Sequence, residues 1–269
     1  MKMNILLTFN AGYIQQTIIM LKSLLHANPE DFFDVYVMNT GLTKEHYLMI
    51  EHAIFHLNQG RLRLIDVKVN VEALKDAPIT KRYPREMYFR IFAAHFLPES
   101  LDRILYLDPD LVVINSIRGL YTMDIQDNFF IAASHVRKSL QTLNAIRLRM
   151  EAPGPYINSG VMVINLQALR QEQRLDKVYR YIDKHKNVLI LPDQDIISAL
   201  YGQKIHLVDP FVFNMTERQW IFYKARFPWL SLSWIRKNSV IIHYCGRNKP
   251  WNERYFGKLD MFYKHAERL

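Results

Sequence analysis

Strand-like and helix-like segments alternate through the first two thirds of this chain, and that alternation limits the fold more than any other feature. Apolar runs at 4–9, 34–39, 61–67, 104–107, 111–114, 129–134 and 161–166 read as strands. Segments 13–27, 43–57, 85–96, 136–150, 175–185 and 193–201 read as helices, and a late strand is expected at 240–244. Strands joined through helices run parallel, so the pattern predicts an α/β fold with a mostly parallel central sheet flanked by helices. With 269 residues, 49% of them apolar, the chain can bury a large core. No repeat, low-complexity run or Gly/Ser linker marks a domain boundary; composition shifts softly near Pro210. Residues 1–252 are taken as the main domain and 253–269 as a helical, basic, aromatic tail.

Such a sheet binds ligands beyond the carboxyl ends of its strands, which gathers distant segments into one place. Thr8-Phe9-Asn10 ends the first strand, Asp108 the fourth and His243 the last. Asp108-Pro109-Asp110 lies between two buried-strand runs, where two carboxylates repel and lose hydration unless a cation compensates them. Alternate strand residues share a face, so Asp108 and Asp110 can converge on one ion, and hard oxygen ligands favour Mn²⁺ or Mg²⁺. Asp-Pro-Asp is also an ordinary turn sequence.

Three further stretches exceed what packing requires. Asn158-Ser159-Gly160 places an amide, a hydroxyl and a close-approach glycine directly before the strand at 161–166. Asp193-Gln194-Asp195 opens a helix; Asp193 serves as its cap, but capping does not call for Gln194. His243 is followed by Gly246 and Lys249, a candidate metal ligand with a cation six residues on. Neither Gly-x-Gly-x-x-Gly nor Gly-x-x-x-x-Gly-Lys-Ser/Thr is present, which argues against a dinucleotide oxidoreductase and a P-loop ATPase.

Together these four ordered motifs resemble glycosyltransferase family 8, the nucleotide-sugar enzymes that include bacterial lipooligosaccharide galactosyltransferases and glycogenin-like proteins. The resemblance runs over residues 4–252 and implies a GT-A-type fold. It implies that Asp108 and Asp110, with Pro109 between them, hold Mn²⁺ on the two phosphates of a UDP-sugar, with His243 as third ligand. Gly246 and Lys249 match positions that approach the diphosphate. Thr8, Asn10 and Tyr13 match the uridine contacts, Tyr13 stacking on uracil, although Thr8-Phe9 replaces the family's acidic residues there. Arg90, Asn158, Ser159, Asp193 and Gln194 match the surroundings of the donor sugar, with Asp193 and Gln194 at the catalytic face. Ser134-His135 departs from the acidic residue often found in the acceptor region. The implied reaction retains anomeric configuration, moving a hexose, glucose or galactose, to a glycan or lipid-linked glycan. Asp193 or Asp195 could act as nucleophile in a double displacement; Gln194, a weak nucleophile, favours front-face displacement instead.

Charge and cysteine bear on location and on the competing readings. The net charge is +9, and residues 217–269 hold 11 Lys or Arg against 4 Asp or Glu together with all 4 Trp. Such a region can meet an anionic membrane surface or build a second small core. No nucleic-acid module accompanies the charge, so nucleic acid is not an expected partner. A single cysteine, Cys245, and an N-terminal apolar run too short for a signal peptide give the expectation of a cytoplasmic protein, peripheral to the inner face of the membrane. Alternatives are a nucleotidyltransferase and a catalytically silent surface binder.

Overall fold

The computed structural model describes residues 1–69, 85–136, 138–150 and 154–269. The strands are β1 (Lys2–Thr8), β2 (Phe32–Asn39), β3 (Leu62–Lys68), β4 (Arg103–Leu107), β5 (Leu111–Val113), β6 (Phe130–Ala133), β7 (Val161–Asn165), β8 (Ile205–Val208) and β9 (Ile241–His243). Seven form one sheet in the order β3-β2-β1-β4-β7-β6-β8, parallel throughout except for β7, which runs against both neighbours. The expected α/β architecture is present.

Alternation along the central strands sorts side chains between two cores. Ile5 and Leu7 of β1, Leu105 and Leu107 of β4, and Val161 and Val163 of β7 face one core, which the helices Ile14–Ala27 and Lys44–Asn58 cover. Leu6, Ile104, Tyr106, Met162 and Ile164 face the other. Both faces are therefore apolar, as a parallel sheet requires. The segment read as one helix over 85–96 is instead a 3₁₀ run, Arg85–Phe92, followed by the short helix Ala93–Phe96. Its apolar residues are buried all round, so spacing could not distinguish the two forms. The helix read over 136–150 is shorter, Lys138–Arg147, and Arg137 of that reading lies outside the described residues.

The strands at 111–114 and 240–244 do not join the main sheet. β5 and β9 form a separate antiparallel ribbon in which Leu111 pairs with His243. Beneath the ribbon lies a third core of Val112, Ile242, Met215, Trp220, Tyr244, Phe262 and Tyr263. Much of the basic aromatic region is built into it. The Trp220 indole N–H donates to the Leu230 carbonyl at 3.0 Å, and buried Glu217 accepts from Leu259 N at 2.7 Å and Tyr255 Oη at 2.8 Å. The helix Asp260–Glu267 buries Phe262, Tyr263 and Ala266. Phe222, Trp229 and Phe256 stay exposed at 52%, 47% and 74%. Among the described residues no helix is long and apolar enough to cross a membrane.

Candidate active site

β4 ends at Leu107, and Asp108 follows in the register of Ile104 and Tyr106, so its side chain emerges on the face covered by the Arg85–Phe92 run. There it meets Arg90. The guanidinium reaches Asp108 Oδ1 and Asp193 Oδ2, each at 3.0 Å, donates to the Ser159 carbonyl at 3.1 Å and lies 4.2 Å over the Tyr106 ring. The Tyr106 hydroxyl donates to Asp108 Oδ1 at 2.5 Å and contacts the Thr8 hydroxyl at 3.0 Å. Burial alone would push the Arg90 pKa down, but Asp108 and Asp193 hold it above its ordinary value.

Pro109 turns the chain out of the main sheet and into β5, which carries Asp110 to β9. His243 Nε2 is then 3.2 Å from Asp110 Oδ1 and 3.6 Å from Asp108 Oδ2. One donor atom from each of Asp108, Asp110 and His243 lies within 4.8 Å of the others, and this is the cluster of metal-ligand type among the described residues. Gly160 makes the convergence possible: its own Cβ position would fall 2.2 Å from His243 Cε1 and 2.6 Å from Asp108 Oδ2. Lys249 pairs with Asp110 and donates to the Tyr244 carbonyl at 2.8 Å. Burial raises the Asp110 pKa, but Lys249 and His243 outweigh it and keep the carboxyl well below the usual range. Two hard carboxylates and an imidazole make a donor set that fits a divalent metal ion.

A polar chain leads away from His243. Its Nδ1 is 2.9 Å from Asn214 Oδ1, Asn214 Nδ2 donates to Asn158 Oδ1 at 3.0 Å, and Asn158 Nδ2 approaches Gln194 Oε1 at 3.4 Å. His135, at the carboxyl end of β6, is 2.8 Å from the Asn214 carbonyl through Nε2, and burial lowers its pKa to about 3.

The helix Pro192–Tyr201 corrects one expectation. Its N-cap is Leu191, with Pro192 at the first helical position, so Asp193 is not the cap. Asp193 Oδ2 instead accepts from the Ser159 hydroxyl at 2.7 Å and from Arg90, while burial raises its pKa. Asp195 is fully enclosed. It takes both guanidinium nitrogens of Arg147 at 2.7 and 2.9 Å, the Tyr156 hydroxyl at 2.6 Å and the N–H groups of Ile190 and Leu191 at 2.7 and 3.2 Å. A carboxylate with every lone pair committed is a scaffold, not a nucleophile.

The remaining candidates are less tightly gathered. Thr8 is buried under Tyr106, so its hydroxyl supports the Asp108 face. Asn10 accepts from Gly12 N at 3.1 Å and sets the turn that presents Tyr13. Burial raises the Tyr13 pKa, Lys249 opposes the rise and Asp110 and Asp108 add to it. Gly246 turns the loop after β9 with φ +91°, a left-handed conformation that favours glycine. Sequence reasoning passed over Tyr106, His135, Arg147, Tyr156 and Asn214 as site residues. Tyr106 had a signal, since it shares strand parity with Asp108; Asn214 had none.

An open, mostly parallel α/β sheet with an Asp/Asp/His cluster and two cations at its carboxyl edge defines a GT-A-type enzyme site. The chain belongs to glycosyl transferase family 8, whose model matches residues 4–254, and it is a glycosyltransferase. It is 26% identical over 269 residues to a lipopolysaccharide 1,2-glucosyltransferase of Escherichia coli K12, covering 98% of this chain and 77% of that protein. It is 27% identical to a lipopolysaccharide 1,3-galactosyltransferase of Salmonella typhimurium, covering 93% of this chain and 73% of the relative. The fold matches that of the galactosyltransferase LgtC, solved with donor and acceptor sugar analogues, at a TM-score of 0.82 and 22% identity, covering 99% of this chain and 95% of that one. Family membership separates the chain from the nucleotidyltransferase alternative.

Proposed function

We propose that the chain is a metal-dependent, retaining hexosyltransferase that moves glucose or galactose from a UDP-sugar to a glycan or lipid-linked glycan. The observation that carries this reading is the convergence of Asp108, Asp110 and His243 beside Lys249 and Arg90. Asp108, Asp110 and His243 would hold a divalent ion such as Mn²⁺ or Mg²⁺, which would supply charge stabilisation for a departing diphosphate. Lys249 adds a fixed cation on the same side, and Tyr13 with Asn10 would form the nucleoside wall, while Thr8, held by Tyr106, supports the Asp108 face behind it. Arg90 stays charged and ties Asp108 to Asp193, so the acid that binds the ion and the acid that faces the sugar share one rigid support.

Retention is what the family resemblance implies, and the acids of the helix Pro192–Tyr201 bear on how it would be reached. Asp195 is fully committed to Arg147, Tyr156 and two backbone groups, and Asp193 Oδ2 is bonded to both Arg90 and Ser159, which disfavours a double displacement through a glycosyl-enzyme on this helix. Gln194 supplies an amide, suited to stabilising positive charge at the anomeric carbon. The acceptor oxygen then bonds to the anomeric carbon on the face from which the phosphate oxygen leaves, and the hydroxyl proton passes to that phosphate. With UDP-glucose and UDP-galactose in the presence of Mn²⁺, UDP release is the expected result. No hydrolysis and no transfer with any nucleotide sugar would remove the reading.

The same reading places the enzyme in the cytoplasm, peripheral to an anionic membrane that presents its acceptor. Exposed Phe222, Trp229 and Phe256, in a region with 11 basic and 4 acidic residues, suit that surface. Sedimentation with vesicles containing anionic phospholipid is expected to carry the protein down, and vesicles of neutral lipid are not. Equal recovery from both counts against membrane attachment.

A further inference from the structure

We propose that Asn214 is a positioning residue that joins the metal ligand His243 to the sugar-facing amides Asn158 and Gln194; this builds on the reading above. Asn214 is fully buried, so both ends of its amide need partners. The orientation of the whole chain follows from one backbone group. Gly160 N–H, 3.1 Å from Asn158 Oδ1, can only donate, so the Asn158 atom facing it is the carbonyl oxygen. The same oxygen lies 3.0 Å from Asn214, which must therefore present its NH₂. Asn214 Oδ1 is left facing His243 Nδ1 at 2.9 Å, and an amide oxygen can only accept, so Nδ1 carries the proton. Nε2, the atom turned toward Asp108 and Asp110, is thereby the one left free for an ion.

The other end of the chain is fixed by the same logic. With its oxygen held by Gly160 and Asn214, Asn158 turns its NH₂ toward Gln194 Oε1. The polarity of Gln194 at the reactive face and the tautomer of His243 at the metal face thus share Asn158 and Asn214 as a common reference. His135 holds the Asn214 backbone in place through its carbonyl.

Two substitutions separate the halves. Asn214→Asp keeps an acceptor for His243 Nδ1 but turns a lone pair toward Asn158 Oδ1. It is expected to bind Mn²⁺ at pH 8 within about threefold of wild type while kcat falls about 10-fold or more. Asn214→Ala removes both contacts and is expected to weaken Mn²⁺ about 10-fold or more as well. Calorimetry reads the first quantity and UDP-sugar turnover the second. A third readout needs neither metal nor activity: in the metal-free wild type, ¹⁵N-resolved NMR of the imidazoles should show a protected proton on His243 Nδ1, retained in Asn214→Asp. A bare Nδ1 in wild type, unchanged Mn²⁺ affinity in Asn214→Ala, or wild-type kcat in Asn214→Asp each overturns the assignment. Should Asn214→Ala fail to fold, the Asp variant and the NMR signal decide alone. A protein that transfers no sugar but shows the Nδ1 proton would refute the function and leave the positioning intact.

Discussion

Asp108→Asn is expected to abolish the Mn²⁺-dependent part of UDP binding, lowering affinity about 100-fold or more and removing transfer with it. The substitution is nearly isosteric, so shape is not the cause. Asparagine can still accept from the Tyr106 hydroxyl and from Arg90 through one oxygen, as Asp108 Oδ1 does at 2.5 and 3.0 Å. What changes is the atom on the other side. Asp108 Oδ2, 3.6 Å from His243 Nε2, becomes either a neutral oxygen or an NH₂ aimed at the position an ion would occupy. The charge balance shifts as well. Asp108, Asp110 and Asp193 face Arg90 and Lys249, one net negative charge that favours a divalent cation; the variant removes it. Arg90 then keeps only Asp193 as an anionic partner, and losing one charge-assisted hydrogen bond from a buried guanidinium costs about 1–3 kcal/mol. Titration of UDP with and without Mn²⁺, alongside a melting curve, separates the two effects. Mn²⁺-dependent UDP affinity equal to that of wild type would defeat the metal assignment.

Much of this site was legible because its parts sit at the ends of recognisable strands. β1, β4 and β7 are continuous apolar runs, and strand parity alone puts Asp108 on the Tyr106 face. The motifs around Asp108, Asn158, Asp193 and His243 then supplied the family. Two things stayed hidden for physical reasons. The meeting of Asp110 with His243 depends on β5 pairing with β9 across 130 residues, and both strands are three residues long. Short apolar strands say nothing about their partners, so the ribbon could not be told from two more strands of the main sheet. Asn214 is placed by a four-residue helix, Pro210–Phe213, and a single bridge from Met215 to Ile242. Neither leaves a periodic trace. The role of Asp193 was misread because an acid at a helix start is ordinarily a cap; Pro192 already begins the helix, which turns Asp193 toward Arg90 instead.

A single added methyl group should disturb the same ion site. In Gly160→Ala the new Cβ would stand 2.2 Å from His243 Cε1 and 2.6 Å from Asp108 Oδ2, closer than real contacts allow, and 3.0 Å from His243 Nε2. Something must move, and the surroundings decide what. The backbone of residue 160 cannot withdraw readily, because its carbonyl accepts from Asp108 N at 2.8 Å and its N–H holds Asn158 Oδ1 at 3.1 Å. Both objects in the way of the methyl are proposed metal ligands. His243 is anchored on its far side by Asn214 and Asp108 by Arg90 and Tyr106, so displacing either breaks hydrogen bonds that hold it. Gly160→Ala is expected to weaken Mn²⁺ at least about 10-fold and to destabilise the fold by about 1–3 kcal/mol, the usual range for overpacking. Gly119 gives the contrast, with nothing within 4 Å of its Cβ position in the helix Arg118–Tyr121, so Gly119→Ala should leave Mn²⁺ binding unchanged. If Gly160→Ala binds Mn²⁺ as wild type does, the ion does not sit between Asp108 and His243, whatever the activity of the variant.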